Sequence, residues 1–193
     1  MIVEEITWGN ERLFVGLAEI KNSKHMSREQ LVAFASEHSR GLMALQFVDA
    51  ASVAGVIHLL SAAQNAVNAW KGGYPIARGL DVEVLVYASA QRQIGKAFER
   101  MGVRDGLDHV AVVVISDKAE SAQQSIGKIV KRMGPERDPP FPLDQERTER
   151  VMSLFDIDKA ELGAISDGER PEDVQNALSR CVAGRVSLVA VDS

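Results

Sequence analysis

The sequence predicts a mixed α/β (α+β) fold, a single domain over residues 1–193 in which a small mixed or antiparallel sheet is packed by several helices. Three observations predict it. The chain has 193 residues, 46% of them apolar, which is enough for one substantial core and too few for two. Apolar residues alternate with a period of two at the start of the chain and run unbroken near residue 110, so strands are few and far apart. Elsewhere they recur every three or four positions, the spacing of a helix with one buried face.

Ile2–Thr7 and Leu13–Ile20 are rich in β-branched residues and flank Gly9-Asn10, the pattern of an antiparallel hairpin. Ser27 followed by Gln30 forms a capping box, and the helix it starts carries Leu31, Phe34 and Ala35 on one face. Leu42–Val48 reads as a buried strand. Val53, Val56, Ile57, Leu60, Ala63, Val67 and Trp70 mark one long amphipathic helix that Gly72-Gly73-Tyr74-Pro75 ends. Ala77–Met101 fits both periods: Val82, Val84 and Val86 alternate, while Leu80, Val84, Ala88, Ile94, Ala97, Phe98 and Met101 repeat as a helix. No Gly, Pro, Asn or Asp lies between Asp81 and Gly95 to turn the chain, so one continuous helix is expected.

His109–Ser116 is the clearest strand, and Asp117 is expected to cap a helix that reaches Met133. Gly134-Pro135 and Pro139-Pro140-Phe141-Pro142 exclude regular structure and predict an exposed connection. Asp144–Leu154 and Asp158–Ile165 read as short helices. Pro171 suits a first helical position with Glu172 and Asp173 behind it, Gly184 is expected to stop that helix, and Arg185–Val191 to form a last strand.

Composition excludes several classes of function. Cys181 is the only cysteine, so neither an internal disulfide nor a thiolate metal cage can form, and a reducing, cytoplasmic setting is expected. The longest apolar run, Val110–Ile115, is far short of a membrane span, and Met1-Ile2-Val3-Glu4-Glu5 lacks the basic start of an export signal. Gly95-Lys96 and Gly127-Lys128 lack the upstream glycine and following hydroxyl of a phosphate-binding loop. The dinucleotide, hydrolase-elbow and zinc-protease motifs are absent too. The histidines at 25, 38, 58 and 109 stand apart in sequence, and His58, beside an apolar helix face, reads as a packed or surface residue. Cys181 reads as inert core, and Asp156 with Asp158 as a solvated loop short of metal ligands. No catalytic residue, metal or cofactor is therefore expected.

The net charge of -5 conceals two opposite local fields. Lys71 to Arg104 holds six basic and three acidic residues, a balance of +3, while Glu136 to Asp173 holds five basic and twelve acidic, a balance of -7. A basic middle and an acidic end suggest two partners. Arg92, Lys96 and Arg100 are spaced so that a helix would align them on one stripe. Such a stripe is either an ordinary solvated face screened by Glu99 or a place where an anion such as RNA phosphate relieves the repulsion. Lys71 and Arg78 extend it, and Ile94 and Tyr74 offer surfaces on which unpaired bases can stack. Separately, Val151, Leu154, Phe155, Ile157 and Leu162 are more apolar groups than two short helices need. They are either a partner-binding core or buried beneath the proline-rich connection.

Three stretches look familiar: His58-Leu59-Leu60-Ser61-Ala62-Ala63-Gln64-Asn65-Ala66, Ile76-Ala77-Arg78, and Glu83 to Ala97 with its core Ser89-x-x-Arg92-Gln93-Ile94-x-x-Ala97. Together with Gly102-Val103, Val110–Ile115, Val151–Ile157 and Val186–Val191, they resemble the kinase-binding subunit of the KEOPS complex, the PRPK-binding protein family, over most of residues 50–193. Two departures are local: Val82, Val84 and Val86 are unusual for that family's helix, and Ala90 stands where a glycine is common.

The resemblance implies a mixed α/β domain without catalysis that docks on a small atypical protein kinase, which in turn touches the threonylcarbamoyl transferase. It also implies recruitment of tRNA through the 3′ CCA end, in support of threonylcarbamoyl-adenosine formation. On that footing the expected tRNA-binding residues are Lys71, Tyr74, Arg78, Arg92, Ile94, Lys96 and Arg100, and the expected kinase-binding residues Val151, Leu154, Phe155, Ile157 and Leu162. Two other readings stay open: a regulator of the kinase with no RNA role, and a small enzyme using Asp156, Asp158 or His109.

Overall fold

The computed structural model describes residues 1–168 and 170–191. β1 (Ile2–Trp8) and β2 (Glu11–Lys21) form the expected hairpin, with Ile6 opposite Leu13 and Gly9 in the left-handed turn conformation at φ 58°. β3 (Ala44–Asp49) and β4 (His109–Ser116) complete a four-stranded antiparallel sheet in the order β1-β2-β4-β3. β2 has eleven residues and β1 seven, so the far end of β2 would be left as an open edge. The connection after residue 134 closes it: Lys21 N–H donates to Pro135 O at 2.9 Å and Arg137 N–H to Glu19 O at 2.8 Å.

Alternation along β2 assigns the two faces of the sheet. Leu13, Val15, Leu17 and Glu19 point to one side, Gly16, Ala18 and Ile20 to the other. On the first side lie α2 (Val56–Gly72), α3 (Leu80–Ala88), α6 (Gln145–Phe155) and α8 (Pro171–Leu188). On the second lie α1 (Arg28–His38) and α5 (Ala119–Met133). Ser27 makes both bonds of its capping box with Gln30, and Leu31 and Phe34 are buried as the spacing predicts. Asp144 and Asp158 cap α6 and α7 (Lys159–Ile165) through their side chains.

The structure corrects five expectations. Residues 77–101 form two helices, α3 and α4 (Ile94–Met101), not one. The N-cap of α5 is Lys118, with no side-chain bond; Asp117 does not cap the helix, and it is the Ser116 hydroxyl that accepts from Lys118 N–H. α2 starts at Val56, after a 3-10 turn over Ala50–Ser52, and Trp70 at its end is 36% exposed and off the core face.

The proline-rich connection is not wholly exposed. Pro140 and Phe141 are buried, and Phe141 N–H donates to the Glu19 carboxylate at 2.6 Å. The same carboxylate meets Arg147 of α6 at 2.6 Å, so a fully buried ion pair ties the connection to the sheet. Burial by itself would raise the Glu19 pKa, but the Arg147 guanidinium holds it below the ordinary carboxylate range.

Finally, α8 runs through Gly184 to Leu188, and no strand follows among the described residues. Leu178, Val182, Val186 and Val189 are all buried and spaced by three or four, so one face of the helix is sealed by packing that outweighs the β propensity of its valines.

Candidate functional site

The break between α3 and α4 organises the most distinctive surface of the protein. α3 ends in a Schellman motif: Gln91 N–H donates to Val86 O and Ala90 N–H to Tyr87 O, with Ala90 in the left-handed region at φ 51°. A side chain at such a φ carries a steric penalty of about 1–2 kcal/mol, which explains why glycine suits the position. The turn also carries Arg92 out of line with Lys96 and Arg100, so the three cations share no helical stripe.

Beneath the turn lies His58, fully buried. Its Nδ1 accepts from Ala54 N–H at 3.2 Å and its Nε2 donates to Ala88 O at 2.8 Å, at the last residue of α3. This fixes the neutral tautomer, and burial pushes the imidazole pKa down to about 4 against the opposing pull of the Ala88 bond. His58 N–H also donates to Ser179 Oγ, joining α2 to α8. Glu83, buried on α3, accepts from Ile76 N–H at 3.1 Å and Ala77 N–H at 2.6 Å and so holds the loop that bears Tyr74.

Arg92 projects from the turn and donates to Val189 O at 2.8 Å, at the carboxyl end of α8, where a cation meets the negative pole of the helix. It lines two clefts. One, of about 220 Å³, adds Arg100, Phe155, Arg185 and Leu188; the other, of about 280 Å³, adds Tyr74, Ile76 and Tyr87. Arg100 donates to Ser89 O at 3.0 Å and lies 5.6 Å from the centre of the Phe155 ring, and its partial burial lowers its pKa. Arg185 is held by Glu161 at 2.6 and 2.7 Å. Arg92 and Arg100 bond to carbonyls and form no ion pair, and Asp156 lines the same cleft. Burial, and then the nearby Glu83 carboxylate, raise the Tyr87 pKa to about 12, so its ring faces the second cleft uncharged.

Of the residues expected from sequence, Arg92, Arg100 and Tyr74 come together here. Lys71 is engaged elsewhere, in an ion pair with Glu11 at 2.6 Å and over the Trp8 ring at 5.5 Å. Arg78, Ile94 and Lys96 are exposed but line neither cleft. Arg185 and Tyr87 are cleft residues that spacing does not reveal.

The apolar group on the acidic segment is also divided. Val151, Phe155 and Ile157 are buried in the core, while Leu154 and Leu162 are half-buried and reach the surface. A five-residue contact surface is therefore not present there. Asp156 closes α6 through its backbone at φ 52° and lines the first cleft, while the Asp158 carboxylate caps α7. His109 opens β4 opposite Lys21. No helix among the described residues is long and apolar enough to cross a membrane.

No curated protein matches the chain in sequence. A protein-family model does, under the description kinase binding protein CGI-121, over residues 17–190, which includes the second half of β2 and all of α1 ahead of the familiar stretches. With that match covering most of its length, the chain belongs to the CGI-121 family of kinase binding proteins.

Proposed function

We propose that this chain is a non-catalytic subunit of the KEOPS tRNA-modification complex, which binds the small atypical kinase and recruits tRNA through its 3′ CCA end in support of threonylcarbamoyl-adenosine formation. Membership of the kinase-binding family supports the kinase half. The observation that carries the RNA half is the paired cleft about Arg92, where two arginines that form no ion pair adjoin a tyrosine that is 54% exposed. Single-stranded RNA is held by cations on its phosphates and flat side chains under its bases, and this surface offers both. Leu154 and Leu162 are the half-buried apolar residues of the acidic segment that reach the surface and serve as the candidate kinase contact. The assembly would reach the threonylcarbamoyl transferase through the kinase.

Fluorescence anisotropy with intact tRNA and with tRNA trimmed of CCA, using wild type and Arg92→Glu, tests the RNA half. A stacked base contributes about 1–3 kcal/mol, so trimming should weaken binding about tenfold or more, as should the charge reversal. With two or three phosphate contacts, log affinity should fall with log salt at a slope of about -1.4 to -2.1. Equal affinities in all four combinations would leave a regulator of the kinase without an RNA role, a reading supported by the carbonyl partners that Arg92 and Arg100 already have. The kinase half is tested by Leu154→Asp and Leu162→Asp, which should weaken capture of the kinase while the circular dichroism spectrum stays unchanged.

A further inference from the structure

β1 is an edge strand, and the register fixes which of its backbone groups face out. Glu19 O accepts from Arg137 N–H on the side away from β4, so by alternation the odd residues of β2 turn their N–H and C=O groups toward β1. Their partners there are Ile2, Glu4, Ile6 and Trp8, which leaves Val3, Glu5 and Thr7 to present theirs to the outside.

Thr7 bears this out and displays what the edge takes. The Gln64 side chain of α2 accepts from Thr7 N–H at 3.3 Å and donates to Thr7 O at 2.8 Å, the two bonds that a residue of a neighbouring strand would make. Val3 and Glu5 have no such substitute. The outward N–H and C=O of both lack a hydrogen-bond partner among the described residues, and neither residue is buried. At the start of the strand, Ile2 and the 42% exposed Ile57 line a cleft of about 280 Å³ with Pro139, Pro140 and Pro142, an apolar seat beside the open edge.

Charge decides what can fill the gap. Glu4 and Glu5 are both exposed; Glu4 forms no ion pair among the described residues, and Glu5 has Arg12 at 3.4 Å, itself 74% exposed. Like charges set opposite each other destabilise a strand pair, so two copies meeting about Glu4 would repel, while lysine or arginine on an incoming strand would answer both glutamates.

We propose that Val3–Glu5 is a strand-addition site, which takes a short, extended, basic segment of a partner protein as a fifth strand of the sheet. Main-chain bonds to Val3 and Glu5 would hold the segment, and the glutamates would select its charge. None of these residues lines the clefts about Arg92, so the site stands apart from the RNA reading.

The test titrates the full chain with a hexapeptide of alternating lysine and valine. Its fully N-methylated form, which keeps the charge but cannot pair, and a hexapeptide of alternating glutamate and valine are the controls. Amide exchange followed by NMR should slow about tenfold at Val3 and Glu5 with saturating peptide, and stay unchanged with either control. Val3→Pro deletes one outward donor and no bond to β2, so it should keep the Tm yet bind about fivefold more weakly. Glu4→Lys should weaken binding about fivefold through charge and decides the matter if the proline variant does not fold. Arg92→Glu should bind the peptide as wild type does, so this inference and the RNA reading fail separately. Unchanged exchange at Val3 and Glu5, equal binding of either control, or a free chain already dimerised through this edge would overturn it.

Discussion

The two faces of the sheet come from the same alternating strands, yet they bury different chemistry. The face covered by α2, α3, α6 and α8 encloses Glu19, His58, Glu83, Arg147 and Ser179, all hydrogen-bonded and all but Glu83 to a partner distant in sequence. The face covered by α1 and α5 is sealed by Ala18, Ile20, Phe47, Val112, Ile126 and Ile129, with Gly16 admitting the α5 backbone. Apolar contacts hold elements together without fixing direction, whereas a buried hydrogen bond fixes a particular atom. The face that carries Arg92 and Tyr74 is the one with polar anchors. Its cost is sensitivity to lost partners and to acid.

The largest effect should come from splitting the buried ion pair. Arg147→Met leaves the Glu19 carboxylate with only the half-exposed Arg137 at 3.4 Å and should cost about 3–5 kcal/mol, read as a lower urea midpoint with an unchanged slope. Adding Glu19→Gln should recover much of that loss, because the amide oxygen still accepts from Phe141 N–H.

Acid comes next. His58 has a folded pKa of about 4 against an ordinary 6.5, so the folded state binds its proton less readily than the unfolded chain. The stability this contributes is complete above pH 6.5 and is lost as pH falls through about 4, a change of about 3 kcal/mol. The lowered pKa of Glu19 steepens the same acid limb. Urea melts across this range should show a shallower decline in His58→Gln, and an identical decline would remove His58 as the anchor.

On the apolar face the expected effect is smaller and steric. A Cβ at Gly16 would stand 2.8 Å from Ile126 Cδ1 and 3.3 Å from Ala122 Cβ, so Gly16→Ala should cost about 1–3 kcal/mol with no pH dependence. Ile126→Val removes the clashing methyl and should restore part of it in the double variant. A Gly16→Ala effect larger than that of Arg147→Met would break the contrast between the faces.

Local signals carried much of the fold. Gly9-Asn10, the Ser27–Gln30 box, the run from His109 to Ser116 and the short helices that open at Asp144 and Asp158 depend on neighbours a few residues away, and each stands where the sequence predicts it. The α3–α4 break is not legible in that way, because the residue that turns the chain is an alanine at positive φ and no glycine or proline marks it. The fate of the last segment depended on tertiary packing: Gly184 and a run of valines mimic a stop and a strand, while the helical spacing from Leu178 to Val189 carries the outcome. The candidate site inherits both difficulties. Arg92 and Arg100 are found by their spacing but meet through the break, and Arg185 joins them only because α8 is a helix.

The bond from Arg92 to Val189 joins residues 97 positions apart, and the one from His58 to Ser179 spans 121. During synthesis the chain emerges from its amino terminus, so the α3–α4 turn leaves the ribosome long before the helix that forms its opposite wall. Contacts of such separation form only after the intervening loop has closed. A nascent chain that already has its hairpin and α2 therefore presents half a cleft, and Arg92 and Arg185 come to face one another only after α8 has been made.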